Sequence, residues 1–235
     1  MIKAVLFDLD GTLLPMDQDV FVKAYFGGLA KKLAPHGYDP KTLIDAIWQG
    51  TAAMVNNGGS CTNEEAFWNR FAALMGADVR KDEPIFDAFY RKEFQAVQQV
   101  CGFSEAAAQV VALVKEKGCM AVLATNPIFP AVATQSRIRW AGLQPEDFSL
   151  YTTYENSHHC KPNPAYYLEI LEKLELKAEE CIMVGNDVGE DMIAGQLGME
   201  VFLLTDCLIN KQNVDIAQFP NGGFPQLLAF LRQRL

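Results

Sequence analysis

The chain has 235 residues, a length that accommodates one large domain or a core with a smaller insert. Half of the residues are hydrophobic and 21% are charged, the balance of a folded globular protein and not of a disordered or repeat-built one. Acids outnumber bases 29 to 20 for a net charge of -9, and no basic stripe is available to meet a phosphate backbone, so nucleic acid is not an expected partner.

Met1 to Asp10 carries only a four-residue apolar run, Ala4 to Phe7, and no later stretch approaches 18 apolar residues, so neither a signal peptide nor a membrane span is expected. Six cysteines (Cys61, Cys101, Cys119, Cys160, Cys181 and Cys207) are scattered without a C-x-x-C pair. That spacing suggests neither a zinc knuckle nor a disulfide framework, and it fits reduced thiols in a cytoplasm.

In chain order, Ala4 to Asp8 is a short apolar run ending in acids and Gly11, the pattern of a buried strand with a polar loop at its carboxyl end. Pro15 to Phe103 then offers no convincing strand and reads as helices only. Within it Thr62-Asn63-Glu64-Glu65 matches a capping box ahead of Phe67, Phe71, Leu74 and Met75, with Gly76 as the stop. Pro84 begins another helix with Phe86, Phe89, Tyr90, Phe94 and Val97 on one face. Ser104 is a candidate N-cap for a helix running to Gly118, with Lys115 and Lys117 in its last turn.

Three further strand-like runs follow: Met120 to Ala124 ending at Thr125-Asn126, Cys181 to Val184 ending at Gly185-Asn186-Asp187, and Val201 to Leu204 ending at Thr205-Asp206. None alternates, as expected of parallel strands covered on both faces. Pro164 after Asn163 opens a helix with Leu168, Leu171 and Leu174 as its apolar stripe, and Gly198 closes a short helix that starts near Val188. The predicted fold class is α/β: a doubly wound, Rossmann-like parallel sheet core (residues 1-14 and 104-235) with a smaller all-helical cap domain (15-103) inserted after the first strand. A cap there would sit above the carboxyl edge of the sheet, where open α/β folds bind ligands.

The chemistry-bearing residues lie at those strand ends. Asp8 and Asp10 flank one residue, as a nucleophile and a general acid would, though two close acids alone also suit a solvated turn. Asp187 and Asp191 are four apart and can face the same mouth, unless Asp191 only stabilises a helix start. Like charges about 4 Å apart cost roughly 4 kcal/mol per pair at an effective dielectric near 20, so four carboxylates in one pocket call for a cation, and oxygen-only ligands favour Mg²⁺. Lys161 could supply a positive point charge and Thr125 a hydroxyl donor; singly, each has a bland alternative as a surface lysine or a cap.

Together and in order, Asp8-Leu9-Asp10-Gly11-Thr12-Leu13, Thr125-Asn126, Lys161-Pro162 and Gly185-Asn186-Asp187 with Asp191 resemble the four-motif signature of the haloacid dehalogenase superfamily. The resemblance spans the chain, since the helical insert is similar to that superfamily's type 1 cap. It implies a phosphoryl transfer in which Asp8 attacks phosphorus to give an aspartyl phosphate, while Asp10 protonates the leaving oxygen and later deprotonates the hydrolytic water. Mg²⁺ would be held by Asp8, the Asp10 carbonyl and Asp187, with Asp191 a ligand through water or an orienting acid. Thr125 and the Asn126 amide would hold phosphoryl oxygens, and Lys161 would position the nucleophile and offset its charge. Four aspartates against a divalent ion and one lysine leave one negative charge in excess, which favours a protonated acid, with Asp10 the candidate.

Dehalogenases of that superfamily lack an acid two positions after the nucleophile, so Asp10 implies phosphate ester chemistry. The expected function is a Mg²⁺-dependent hydrolase of a small phosphorylated metabolite. A sugar phosphomutase-type isomerase would keep every motif, and a phosphorylatable, non-hydrolytic switch is disfavoured by the large insert. Two details depart from common forms: Leu14-Pro15 stands where many cap-bearing phosphatases have an acid, and His158-His159-Cys160 precedes Lys161 where glycine is frequent. The adjacent histidines read as a loop feature and not as a soft-metal site. Asn56 to Ser60 reads equally as a helix connector or as a loop reaching the leaving group, and Trp48, Phe67 and Trp68 are expected in the cap's core.

Overall fold

A computed structural model describes residues 1–235. The strands are β1 (Ala4–Phe7), β2 (Met120–Leu123), β3 (Leu150–Tyr151), β4 (Cys181–Gly185), β5 (Glu200–Leu204) and β6 (Asn221–Gly222). All pair in parallel, in the order β3-β2-β1-β4-β5-β6. The four runs expected as strands are the four central members. The two edge strands were not expected, because a two-residue ladder leaves no hydrophobic pattern to read.

Period two decides which side chain faces which way. Val5, Phe7, Leu123, Ile182, Val184, Phe202 and Leu204 enter one core, together with α5 (Glu105–Glu116), α6 (Ala131–Trp140) and α8 (Phe224–Arg234). Ala4, Leu6, Val122 and Met183 face the other way, against α7 (Pro164–Leu174) and the 3-10 turn Met192–Leu197. With both faces covered, the central strands are apolar apart from Glu200 at the start of β5, which is why none alternated in sequence. The strand order reverses between β1 and β4, so the chain leaves their carboxyl ends in opposite directions and opens a crevice there.

Between β1 and α5 lie α1 (Gln18–Leu33), α2 (Pro40–Val55), α3 (Asn63–Met75) and α4 (Glu83–Arg91). Asp17, Asp39 and Thr62 cap the first three, and Thr62 with Glu65 forms the expected capping box; such caps contribute about 1 kcal/mol each. The single helix expected from Pro84 is instead two pieces. It breaks at Lys92, and Glu93–Val100 continues as 3-10 helix. The tighter i, i+3 repeat sends Phe94 and Val97 inward together. Phe94 meets Trp140 of the sheet domain at 5.0 Å between ring centroids, so insert and sheet share one aromatic core. The two chain crossings run side by side, with Met16 bridged to Cys101 and the Gly102 amide donating to the Pro15 carbonyl at 2.7 Å.

On α7 the expected leucine stripe is rotated. Pro164 opens the helix as anticipated, with Asn163 as its cap, but Tyr166, Tyr167, Ile170 and Leu171 are the buried residues and Leu168 is 51% exposed. Tyrosine, with its hydroxyl, was undervalued as a core residue; here Tyr166 and Tyr167 bury their rings and hydrogen-bond backbone carbonyls at the site. Ile170→Ala should therefore cost about 2–5 kcal/mol in urea unfolding and Leu168→Ala no more than about 0.5 kcal/mol. Equal losses would contradict this facing of the helix.

Candidate active site

Asp8 follows β1 directly, and its amide still donates to the Val184 carbonyl at 2.9 Å, so the strand pairing fixes it in the crevice. Its Oδ1 accepts from Lys161 Nζ at 2.9 Å and its Oδ2 from the Thr12 hydroxyl at 3.2 Å. Lys161, only 1% exposed, also donates to Asp191 Oδ1 at 2.6 Å. Two sequence-distant aspartates thus share one buried ammonium. Burial pulls the lysine's pKa down, but Asp191 and Asp8 together outweigh it and hold the value well above normal. Asp191 is shifted upward by burial and by Asp8, against the pull of Lys161.

Asp191's other oxygen, Oδ2, accepts from the Asp187 amide at 3.0 Å. Both of its oxygens are thus engaged, one with the lysine and one with the peptide of Asp187. Asp191 also lies hard against the end of β4: a Cβ on Gly185 would fall 2.1 Å from Oδ2, so only glycine fits there. Gly11 has φ +88°, and a side chain there would meet Asn186 Nδ2 at 2.3 Å. Asn186 in turn accepts from the Thr12 hydroxyl at 3.0 Å and donates to the Cys207 carbonyl at 2.7 Å, tying the β1 and β4 loops together.

Asp10 was not expected to have a cationic partner. Arg137 of α6, buried to 1% exposure, donates to Asp10 Oδ2, while Asp10 Oδ1 is buried with no hydrogen-bond partner. Burial raises the Asp10 pKa; Arg137 opposes that rise and Asp8 adds to it. Nothing in the sequence marked Arg137, which sits with Arg139 in a last turn where arginine ordinarily meets the helix dipole. Glu190 was missed as well. It accepts from Asn126 Nδ2 at 3.1 Å, and its pKa is raised by burial. Glu190 adds one negative charge to the anticipated count and Arg137 one positive, so the excess of one is unchanged.

Thr125 and Asn126 follow β2, and the Thr125 carbonyl is gripped by the hydroxyls of Thr152 (2.6 Å) and Tyr166 (2.9 Å). The Asn126 Oδ1 is buried and unpaired. Asp187 Oδ1 accepts from the amides of Gly189 (2.7 Å) and Glu190 (3.1 Å). All of the expected site residues but Lys161, which lies behind Asp8, line one cavity of about 220 Å³ together with Glu190. No three His, Cys, Asp or Glu side chains are already arranged around a single metal position. In chemistry, however, the donor set suits a hard divalent cation: the cavity wall carries five carboxylates and no lysine or arginine.

The remaining anticipated features separate. His158 Nδ1 pairs with Glu169 at 2.9 Å, whereas the His159 ring lies against Gly59, so the two histidines diverge. Asn57 donates within its own loop, to the Cys61 carbonyl and to Asn63, and the Asn56 to Ser60 segment is a connector that lines no part of the cavity. Trp48 corrects an expectation: it is 50% exposed and lines the site instead of the cap's core.

Residues 2–198 match the haloacid dehalogenase-like hydrolase family. Similar solved structures include the HAD phosphatase of Thermococcus onnurineus (TM-score 0.63, 18% identity, 98% of each chain) and a 2-haloacid dehalogenase of Pseudomonas syringae pv. Tomato DC3000 (0.64, 20%, 100% of each). A third is CbbY of Rhodobacter sphaeroides in complex with phosphate (0.59, 18%, 97% of this chain and 96% of that one). No curated protein matches in sequence.

Removing Lys161 would leave two carboxylates buried without their cation. Lys161→Met should cost roughly 3–5 kcal/mol in urea unfolding, and adding Asp191→Asn to that variant should restore part of the loss. An undiminished stability in Lys161→Met, or a further large loss in the double variant, would contradict the shared-ammonium arrangement.

Proposed function

The chain belongs to the haloacid dehalogenase-like hydrolase family, and from that premise we propose that it is a Mg²⁺-dependent phosphatase of a small phosphorylated metabolite, working through an aspartyl phosphate on Asp8. The observation that carries this reading is Asp10: a partly buried carboxyl two residues from the nucleophile, fixed through one oxygen by Arg137, with its other oxygen buried and unpaired and its pKa raised by desolvation. A phosphate ester expels an alkoxide, which needs a proton; a halide does not. An acid that holds its proton more tightly than an ordinary carboxyl beside the nucleophile therefore suits ester cleavage.

In the proposed sequence the Asp8 carboxylate attacks phosphorus, the bond from phosphorus to the ester oxygen breaks, and that oxygen takes the proton from Asp10. Asp10 then removes a proton from water, the water oxygen bonds to phosphorus, and Asp8 is released. Lys161 holds the carboxylate in place and offsets repulsion between it and the phosphate anion. Thr125 and Asn126 are at hand for phosphoryl oxygens. Asp8, the Asp10 carbonyl and Asp187 would hold the divalent ion, which supplies neutralisation of the phosphoryl charge. Asp191 steadies Lys161 and the Asp187 peptide.

Aryl phosphate hydrolysis should require Mg²⁺ and fall by at least about 10³-fold in Asp8→Asn with the fold intact by circular dichroism. Full activity in excess chelator or wild-type rates in Asp8→Asn would overturn the proposal, and an isomerised product without free phosphate would favour a mutase. Because the first step consumes the Asp10 proton, turnover should decline as pH rises through that group's raised value. The alkaline decline should vanish in the weakly active Asp10→Asn; an identical profile in that variant would remove Asp10 from the acid's role.

A further inference from the structure

Beside the carboxylate cavity lies a second one of about 490 Å³, walled by α1 to α4 and the start of α6. The two share Val22, Trp48, Ile128 and Phe129 in their walls, so they are immediate neighbours. Close-packed interiors leave few voids larger than a water molecule, whereas this volume falls in the range of small-molecule sites. Its wall is mainly apolar and rich in aromatic rings, among them Phe26, Trp48, Phe67, Trp68, Phe86 and Tyr90. Trp48, Phe67 and Trp68, anticipated as plain cap packing, therefore form a chamber wall.

The charged groups of the chamber lean one way. Glu64, Glu83, Asp87 and Glu155 line it against the single cation Arg91. Arg91 is tied to Asp87 at 2.6 Å, Glu83 is paired with Arg80, and Glu155 accepts from the Ala131 amide at 2.8 and 3.0 Å. Glu64 is left without an ion-pair partner. Burial raises its pKa, and Glu155 and Glu83 raise it further against the smaller opposing pull of Arg80, so a cation arriving there relieves repulsion and an anion adds to it. The nearby buried cations, Lys161 and Arg137, are already taken by Asp8, Asp191 and Asp10. Aromatic faces also attract flat rings and ammonium groups.

We propose, on the reading of this chain as a phosphatase, that the chamber seats the leaving group and selects an aromatic alcohol that is uncharged or bears an ammonium, with Glu64 as the residue that receives the ammonium and rejects a second anion.

The test compares phosphate release from O-phosphotyramine, its carboxylate counterpart 3-(4-phosphonooxyphenyl)propionate, phenyl phosphate and glycerol phosphate, at fixed Mg²⁺ and pH. The expected result is a kcat/KM at least tenfold higher for phosphotyramine than for the propionate, carried by KM, with phenyl phosphate above glycerol phosphate. In Glu64→Gln the ratio between the amine and the carboxylate substrates should fall toward one. A propionate substrate as good as phosphotyramine, glycerol phosphate above phenyl phosphate, or an unchanged ratio in Glu64→Gln would overturn the assignment. Absence of phosphate from all four would instead overturn the phosphatase reading, and the chamber is then judged by calorimetric titration with phenethylamine and 3-phenylpropionate. Tighter binding of the amine, lost in Glu64→Gln, supports the chamber's selectivity; equal binding or none overturns it.

Discussion

The site depends on one ammonium group that cannot leave. Lys161 lies between Asp8 and Asp191 with almost no exposure, and each contact repays part of the cost of taking three charges out of water. Because two carboxylates face one lysine, the lysine is held firmly protonated while the carboxylates compete for it. Asp8 is thereby fixed in direction, and Asp191 passes the constraint to the Asp187 peptide through its second oxygen. Buried ion pairs are weak evidence of stability, but this one imposes geometry, which is what an attacking carboxylate requires.

Sheet topology brings the partners together. The β1 and β4 ends sit side by side where the strand order reverses, and α6 brings Arg137 to them while the loop ahead of α7 brings Lys161. Solved structures with the same fold include a phosphatase and a dehalogenase, so the fold alone leaves the reaction open. What bears on the reaction in this chain is local: Asp10, with one oxygen clamped by Arg137 and the other buried and unpaired. The aromatic insert adds a chamber against that carboxylate cluster, so the parts with chemistry and the parts with shape come from different segments of the chain.

Much of this was legible from local pattern. Central strands declared themselves as short apolar runs ending in acids, because burial on both faces leaves no room for alternation. The Thr62 capping box and the helix start at Pro164 were legible because such signals are decided within four residues. Arg137 and Glu190 were not, since their meaning lies in partners far along the chain or in a burial that no local spacing reports. The two-residue edge strands carried too little pattern, and the 3-10 break at Lys92 obeys packing of Phe94 against Trp140 and not helix periodicity. Trp48 misled for a related reason: an aromatic residue on a helix is usually core, and only the three-dimensional wall shows it turned to a cavity.

The account turns on a covalent bond between an Asp8 oxygen and phosphorus. The most direct measurement is peptide mass spectrometry of enzyme quenched in acid during turnover of a phosphate ester. The account predicts a phosphoryl adduct on the peptide carrying Asp8, absent without substrate; free phosphate produced with no adduct there, or with the adduct on another residue, would contradict it.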